Sequence, residues 1–181
     1  MGEIHKPKNV LFILVAYSRY PVALKWSIEQ FSAKLGKPTL TSSEIPFNET
    51  TYYTPSMGSD LILQMSAYHL IPLEDFPALK IFSNGLEETF KTDNSHPEER
   101  PLNLDPGYLN AHKFILATTK DADHRLYLKD GIYAESTLHY VKDSWQEWSW
   151  TYPNYKKEIY KNFLLQCRKV FLEQAKEENK C

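Results

Sequence analysis

The chain has 181 residues, 42% of them hydrophobic and 14% aromatic. That length and composition fit one globular domain over 1–181 and exclude a disordered chain. Lys and Arg number 21 against 23 Asp and Glu, a net charge of −2, which argues against a globally basic nucleic-acid-binding surface and gives no clear nucleic-acid signal. The two cysteines, Cys167 and Cys181, make neither a disulfide framework nor a zinc ribbon, and no apolar run approaches the roughly 18 residues of a membrane helix. The expectation is a soluble, cytoplasmic domain with no membrane partner.

In chain order, residues 10–17 form an apolar run behind Lys6 and Lys8. A run of about 8 residues rich in β-branched types reads as a buried first strand. The alternative is a short signal peptide cut near Ala16-Tyr17-Ser18. Leu24, Ile28, Phe31 and Leu35 recur at helical spacing, with Pro21 suited to the first turn and Gly36 then Pro38 to the stop, so a helix is predicted over 21–35. Residues 39–47 read as a strand, 48–58 as a loop and 60–70 as a strand. Phe76, Leu79, Phe82, Leu86 and Phe90 mark a second helix, in which Gly85 costs about 1 kcal/mol against Ala. Residues 91–100, polar and interrupted by Pro97, read as an exposed loop open to proteolysis.

Leu102-Asn103-Leu104-Asp105 alternates like a half-buried strand, and Asp105-Pro106-Gly107-Tyr108 carries turn chemistry. Residues 114–118 read as a further strand. The next two strands, 124–128 and 132–140, flank Lys129-Asp130-Gly131. A two-residue Asp-Gly turn would pair Lys129 with Ile132; a three-residue loop would pair Leu128 with Ile132. The three-residue register segregates the faces better. It places Leu126, Leu128, Ile132, Ala134, Leu138 and Tyr140 on one side and Arg125, Tyr127, Tyr133, Glu135, Thr137 and His139 on the other. Residues 156–176 read as a long last helix with Asn154 as its cap and Cys167 as a small core residue.

In that register Arg125 lies opposite Glu135. The pair is either a solvated ion pair worth about 0.2–1 kcal/mol or the polar floor of a cleft, Arg125 gripping an anion and Glu135 orienting it or acting as a base. Lys120, His124 and Arg125 cluster before the hairpin as a candidate anion site, and His124 is the candidate general acid/base. Metal ligation through Asp105, His124, Glu135 or His139 has no supporting motif, and no metal is expected: HExxH, paired CxxC and an EF-hand loop are absent. So are the P-loop, GxGxxG and GxSxG patterns, and no cofactor is identified. The aromatic segment 145–155, with Trp145, Trp148 and Trp150, reads as a lid on the core rather than a stacking platform for bases or sugars.

Several stretches together resemble the prokaryotic domain-of-unknown-function family 4416. These are Phe47, Tyr52-Tyr53 and Met57-Gly58; 103–109; 116–120; His124-Arg125-Leu126-Tyr127-Leu128; 131–138; and Trp150-Thr151-Tyr152-Pro153. The resemblance spans nearly the whole chain and brings no established activity. It singles out Asp105, Tyr108, Lys120, His124, Arg125, Tyr127, Glu135 and Thr137. Around Tyr52-Tyr53 the chain departs from the pattern, with Thr51 and Ser56 where the family carries acidic residues. The fold expected is α+β: a mixed, largely antiparallel sheet with two or three helices on one side, its ferredoxin-like core extended by the hairpin and closed by the C-terminal helix. The function expected is that of an enzyme or binder for a small phosphorylated or otherwise anionic ligand, with His124 and Glu135 catalytic and Lys120, Arg125, Tyr127, Asp105, Tyr108 and Thr137 around the ligand. The alternative is a non-catalytic protein-interaction module.

Overall fold

The structure is a computed structural model that describes residues 2–93, 95–178 and 180; Cys181 lies outside them. The apolar run near the start is β1 (Val10–Ser18), buried at every position. A strand apolar on both faces needs cover on both sides, and that requirement organises the molecule. β1 is flanked by β4 (Leu61–Ile71) and β5 (Asn103–Leu109). β2 (Leu40–Thr41) and β3 (Ile45–Phe47) both pair with β4. Beyond β5 come β6 (Lys113–Thr118), β8 (Ile132–Val141) and the edge strand β7 (Arg125–Lys129), while β9 (Ser144–Glu147) pairs with the far end of β8. The nine strands form one sheet, and every ladder in it is antiparallel.

The helices are α1 (Pro21–Leu35), α2 (Thr54–Met57), α3 (Phe76–Asp93) and α4 (Glu158–Glu178). Pro21 opens α1, where its missing N–H costs nothing, and Gly36 at φ +82° follows its last residue. The order β2/β3–β4–β1–β5, with α1 and α3 as the two connections, is the ferredoxin-like arrangement. The helices do not share a side, however. Ala23, Leu24 and Phe31 of α1 and Phe76, Leu79, Leu86 and Phe90 of α3 pack on Val10, Phe12, Leu14 and Ala16. Tyr160, Phe163, Leu164, Cys167 and Phe171 of α4 cover Leu11, Ile13, Val15 and Tyr17 on the opposite face.

Local departures from the sequence expectation have physical causes. The strand expected over 39–47 is two short strands, and the 48–58 loop contains α2. The supposed turn Pro106-Gly107 lies inside β5, paired with Leu14 and Ile13. Gly107 is required there by crowding: a Cβ would sit 2.8 Å from the Phe114 ring and 2.9 Å from the Ile115 carbonyl oxygen. The hairpin uses the two-residue turn, with Asp130 at φ 55° and Gly131 at φ 77° and Lys129 opposite Ile132. A bulge at Leu128 then restores Arg125 opposite Glu135 and Tyr127 opposite Tyr133. A second irregularity opposite Phe114 and Ile115 leaves Thr137 unpaired, and one extra residue flips every side chain beyond it. Leu138 therefore packs with the α4-side core, while Ile132 stays on the α1/α3 side. Leu126 and Leu128, placed on the apolar face by sequence, are exposed on the edge strand.

Asn154 does not cap α4; it sits in a 3-10 turn, Pro153–Lys156, one turn earlier. The segment 95–100 is tied down as well as exposed. Glu98 accepts from Arg19 Nη1 and from the Tyr20 hydroxyl, both at 2.7 Å, and Arg100 grips Glu87. The aromatic segment expected to lid the core does so only in part: Trp145 on β9 and Tyr155 are buried, whereas Trp150 and Tyr152 are exposed. No helix among the described residues is long and apolar enough to cross a membrane.

Candidate functional site

The sheet opens a gap in itself. β5 pairs with β6 only over Gly107–Leu109 against Phe114–Leu116. Below that point β5 stays with β1, Asn103 opposite Tyr17 and Asp105 opposite Val15. β6 stays with β8, Ala117 opposite Ala134 and Thr118 opposite Tyr133. Pro106, which has no N–H to donate to a ladder, stands where the two strands part. Asn103 and Asp105 line one bank and Leu116, Ala117 and Thr118 the other.

Into this gap reach Lys80 and Asn84 of α3, the loop carrying Glu49, Thr50, Tyr52 and Tyr53, and the turn of Tyr152, Asn154 and Tyr155. Together they enclose a cleft of about 470 Å³, within the size range of small-molecule sites.

Glu135 of β8 is the best-held charge in it. Its side chain is only 3% exposed. Oε2 accepts from Arg125 Nε at 2.9 Å, with Arg125 Nη2 at 2.8 Å and His124 Nε2 at 3.3 Å. Oε1 is buried with no partner among the described residues. Arg125 also donates to the Lys120 carbonyl at 3.1 Å and to the Tyr152 hydroxyl at 3.4 Å. Desolvation works against its charge, but Glu135 outweighs it and the guanidinium pKa rises. His124 is wedged behind, its Nδ1 2.9 Å from Asp123 Oδ1 and its ring stacked on Trp150 at 5.3 Å. The His124 hydrogen bond holds the Asp123 carboxyl below its ordinary pKa.

Three further cations surround the cleft. Lys80, buried in the helix–sheet interface, donates to the Leu104 carbonyl at 2.8 Å and lies 3.5 Å from Asp105 Oδ1. Asp105 Oδ2 accepts from Asn103 at 2.9 Å. Arg100 donates from Nε and Nη2 to Glu87 Oε2. Burial opposes its charge, Glu87 more than compensates, and its pKa rises. Burial pushes the Glu87 carboxyl up against the pull of Lys80 and Arg100. Lys120 meets no carboxylate among the described residues. It donates to the Tyr52 hydroxyl at 3.2 Å, and that bond lowers the phenol's pKa. The neighbouring phenols go the other way: burial raises Tyr17, Tyr53 and Tyr155, with Tyr17 and Tyr155 sharing a hydroxyl contact at 3.3 Å.

Of the residues the sequence singled out, Asp105, Lys120, Arg125 and Glu135 line the cleft, and His124 touches it through Glu135. Three others lie elsewhere. Tyr108 packs edge-on against Phe76 on the α1/α3 side of the sheet. Tyr127 is exposed on the edge strand against Tyr133. Thr137 is buried at the β8 irregularity. Sequence reasoning missed Lys80, Arg100, Tyr53 and Asn154. Lys80 left a trace: it stands within the buried stripe of α3, between Phe76 and Ser83, where an unpaired cation is out of place. Among the described residues no three His, Cys, Asp or Glu side chains converge to hold a metal ion.

The chain matches the family model described as a domain of unknown function (DUF4416) over residues 7–171, as the resemblance in its sequence implied. No curated protein and no solved structure matches it.

Proposed function

We propose that this chain, which belongs to the DUF4416 family, is an enzyme or binder for a small phosphorylated or otherwise anionic molecule held in the cleft between β5 and β6. The observation that carries this reading is the convergence of Lys80, Arg100, Lys120 and Arg125, from three separate parts of the chain, on one cleft. Their roles differ. Arg125 is engaged by Glu135, Lys120 and Tyr152, so it orients Glu135 more than it grips a ligand. Lys120, whose hydrogen bond is to the Tyr52 phenol, is the cation free to exchange that bond for a stronger charge-assisted one. Glu135 is the group placed for proton transfer. His124 contacts Glu135 and not the cleft, which makes it a positioning residue. A cytoplasmic location fits the buried thiol of Cys167, which has no disulfide partner among the described residues.

The test is a thermal-shift panel of nucleotides, sugar phosphates, carboxylates and divalent metals. A ligand at about 100 times its dissociation constant stabilises by about 2.7 kcal/mol, a shift of several degrees. Anionic compounds should shift the wild type, and Lys120→Ala should keep the fold and lose the shift. A flat panel on folded protein overturns the reading. So does a shift that Lys120→Ala and Arg100→Ala both leave unchanged.

The second reading, a non-catalytic interaction module, is supported by β7. It is an edge strand paired on one side only, with Leu126 74% and Tyr127 61% exposed, and such an edge can accept another strand. A monomer in sedimentation at high concentration would remove its self-association version.

A further inference from the structure

We infer that the molecule the cleft takes is a phosphorylated sugar or other phosphorylated polyol, bound with a hydroxyl group against Glu135 and Asn154 and its phosphate on the Lys120 and Arg100 side. This rests on the reading of the cleft as an anion site and names the ligand class. Two side chains of the cleft wall are buried and incompletely satisfied. Glu135, 2% exposed, has an acceptor, Oε1, with no partner among the described residues; Asn154, 3% exposed, has a donor, Nδ2, with none. A buried polar group left unpaired is unfavourable, so a ligand that pairs with both is favoured.

The ligand chemistry follows by elimination. A carboxylate only accepts, so it could satisfy Asn154 Nδ2 but not Glu135; inorganic phosphate keeps a P–OH donor at neutral pH but would still meet Glu135 as one anion meets another. An ammonium group only donates, so it could satisfy Glu135 and leave Asn154. A hydroxyl donates and accepts through one oxygen, and a polyol offers several. The anionic end belongs by Lys120, which faces no carboxylate among the described residues, and by Arg100, whose Nη1 has no partner among them while Nε and Nη2 hold Glu87. The rings of Tyr52, Tyr53 and Tyr152, all on the cleft wall, supply flat faces of the kind that pack on a sugar ring. A free sugar phosphate and the sugar phosphate of a mononucleotide share this chemistry.

The experiment is isothermal titration of the purified chain with ribose 5-phosphate, ribose, inorganic phosphate, AMP and citrate. Ribose 5-phosphate or AMP should bind at least about tenfold more tightly than inorganic phosphate, the ratio expected for one added hydrogen bond to a charged group. Glu135→Gln should erase that preference, read as the ratio of the two affinities within the variant, and Lys120→Ala should weaken both. Asn154→Ala, which keeps both members of the Arg125–Glu135 ion pair, provides the same comparison should Glu135→Gln fail to fold. Preference for ribose 5-phosphate over AMP assigns a free sugar phosphate, and the reverse assigns a nucleotide; both support the inference. Citrate binding without sugar phosphate binding overturns it and leaves the anion cleft standing. Equal binding of phosphate and sugar phosphate in wild type and both wall variants overturns it too. No binding of any anion overturns the cleft reading and the inference together.

Discussion

Arg125 and Glu135 show how burial changes the meaning of a residue pair. On an exposed strand such a pair is worth a few tenths of a kcal/mol, and Arg125→Ala would cost little. Here the Arg125 side chain is 10% exposed and the Glu135 side chain 3%, so removing the guanidinium leaves a carboxylate in a low-dielectric wall with His124 as its remaining partner. Loss of one member of a buried pair costs about 3–5 kcal/mol, whereas replacing both by apolar groups of similar volume is often neutral. Arg125→Ala is therefore expected to lower the unfolding free energy by that amount, and with it the denaturant midpoint, and Arg125→Met with Glu135→Leu to recover most of it. Urea unfolding of the three proteins checks this. Equal stability of wild type and Arg125→Ala would show that the pair is solvated after all. Cys167 is the simpler case: burial pushes its thiol well above the ordinary value, so a thiol reagent should reach it only as the chain unfolds.

At the scale of elements, two glycines make opposite predictions. Gly107→Ala drives a methyl group into the Phe114 ring and the Ile115 carbonyl, where backbone cannot yield as a flexible side chain can; overpacking of this kind costs about 1–3 kcal/mol. Gly85 stands in the middle of α3 with nothing within 4 Å of an added Cβ, so Gly85→Ala should stabilise by up to about 1 kcal/mol. Melting temperatures of the two variants should move in opposite directions, and a shift of the same sign in both would contradict the packing described. The contrast also explains what the sequence showed and what it hid. α1, α3 and α4 were legible because apolar residues at helical spacing report on a single face of a single element. Pro106-Gly107 was not: its turn chemistry is real, but β1 and β6 on either side hold it extended. The bulge at Thr137 left no mark in the alternation, and it reversed the face of everything after it. The half of the cleft that was legible, Lys120 to Glu135, lies within one hairpin and its approach. Lys80, Arg100 and Asn154 come from distant parts of the chain, brought in by the split between β5 and β6.

The whole molecule is a sheet with two separate cores, and the α4-side core is rich in phenols: Tyr17, Tyr155 and Tyr160 are all buried in it. Burial is the first cause raising each of their pKa values above the ordinary 10.0, and the same holds for Tyr53 and for Tyr68 in the other core. The sign follows from linkage. A phenol whose folded pKa exceeds its unfolded one is held neutral by the fold, so its contribution is fully present below about pH 10 and is lost as pH rises above it. The protein is thus expected to unfold cooperatively in alkali, with stability falling ever more steeply as more phenols enter the window. Tyrosinate absorbance followed together with near-ultraviolet circular dichroism separates the groups. Tyr52, its pKa lowered by Lys120, ionises first and with the fold intact, and Lys120→Ala delays it. The buried phenols should ionise only as the dichroism collapses, and Tyr17→Phe or Tyr68→Phe should move that collapse to higher pH. Reversible ionisation of every tyrosine near its ordinary value with the dichroism unchanged would mean that the phenol-lined core is open to water, and with it the wall that the cleft shares through Tyr17 and Tyr155.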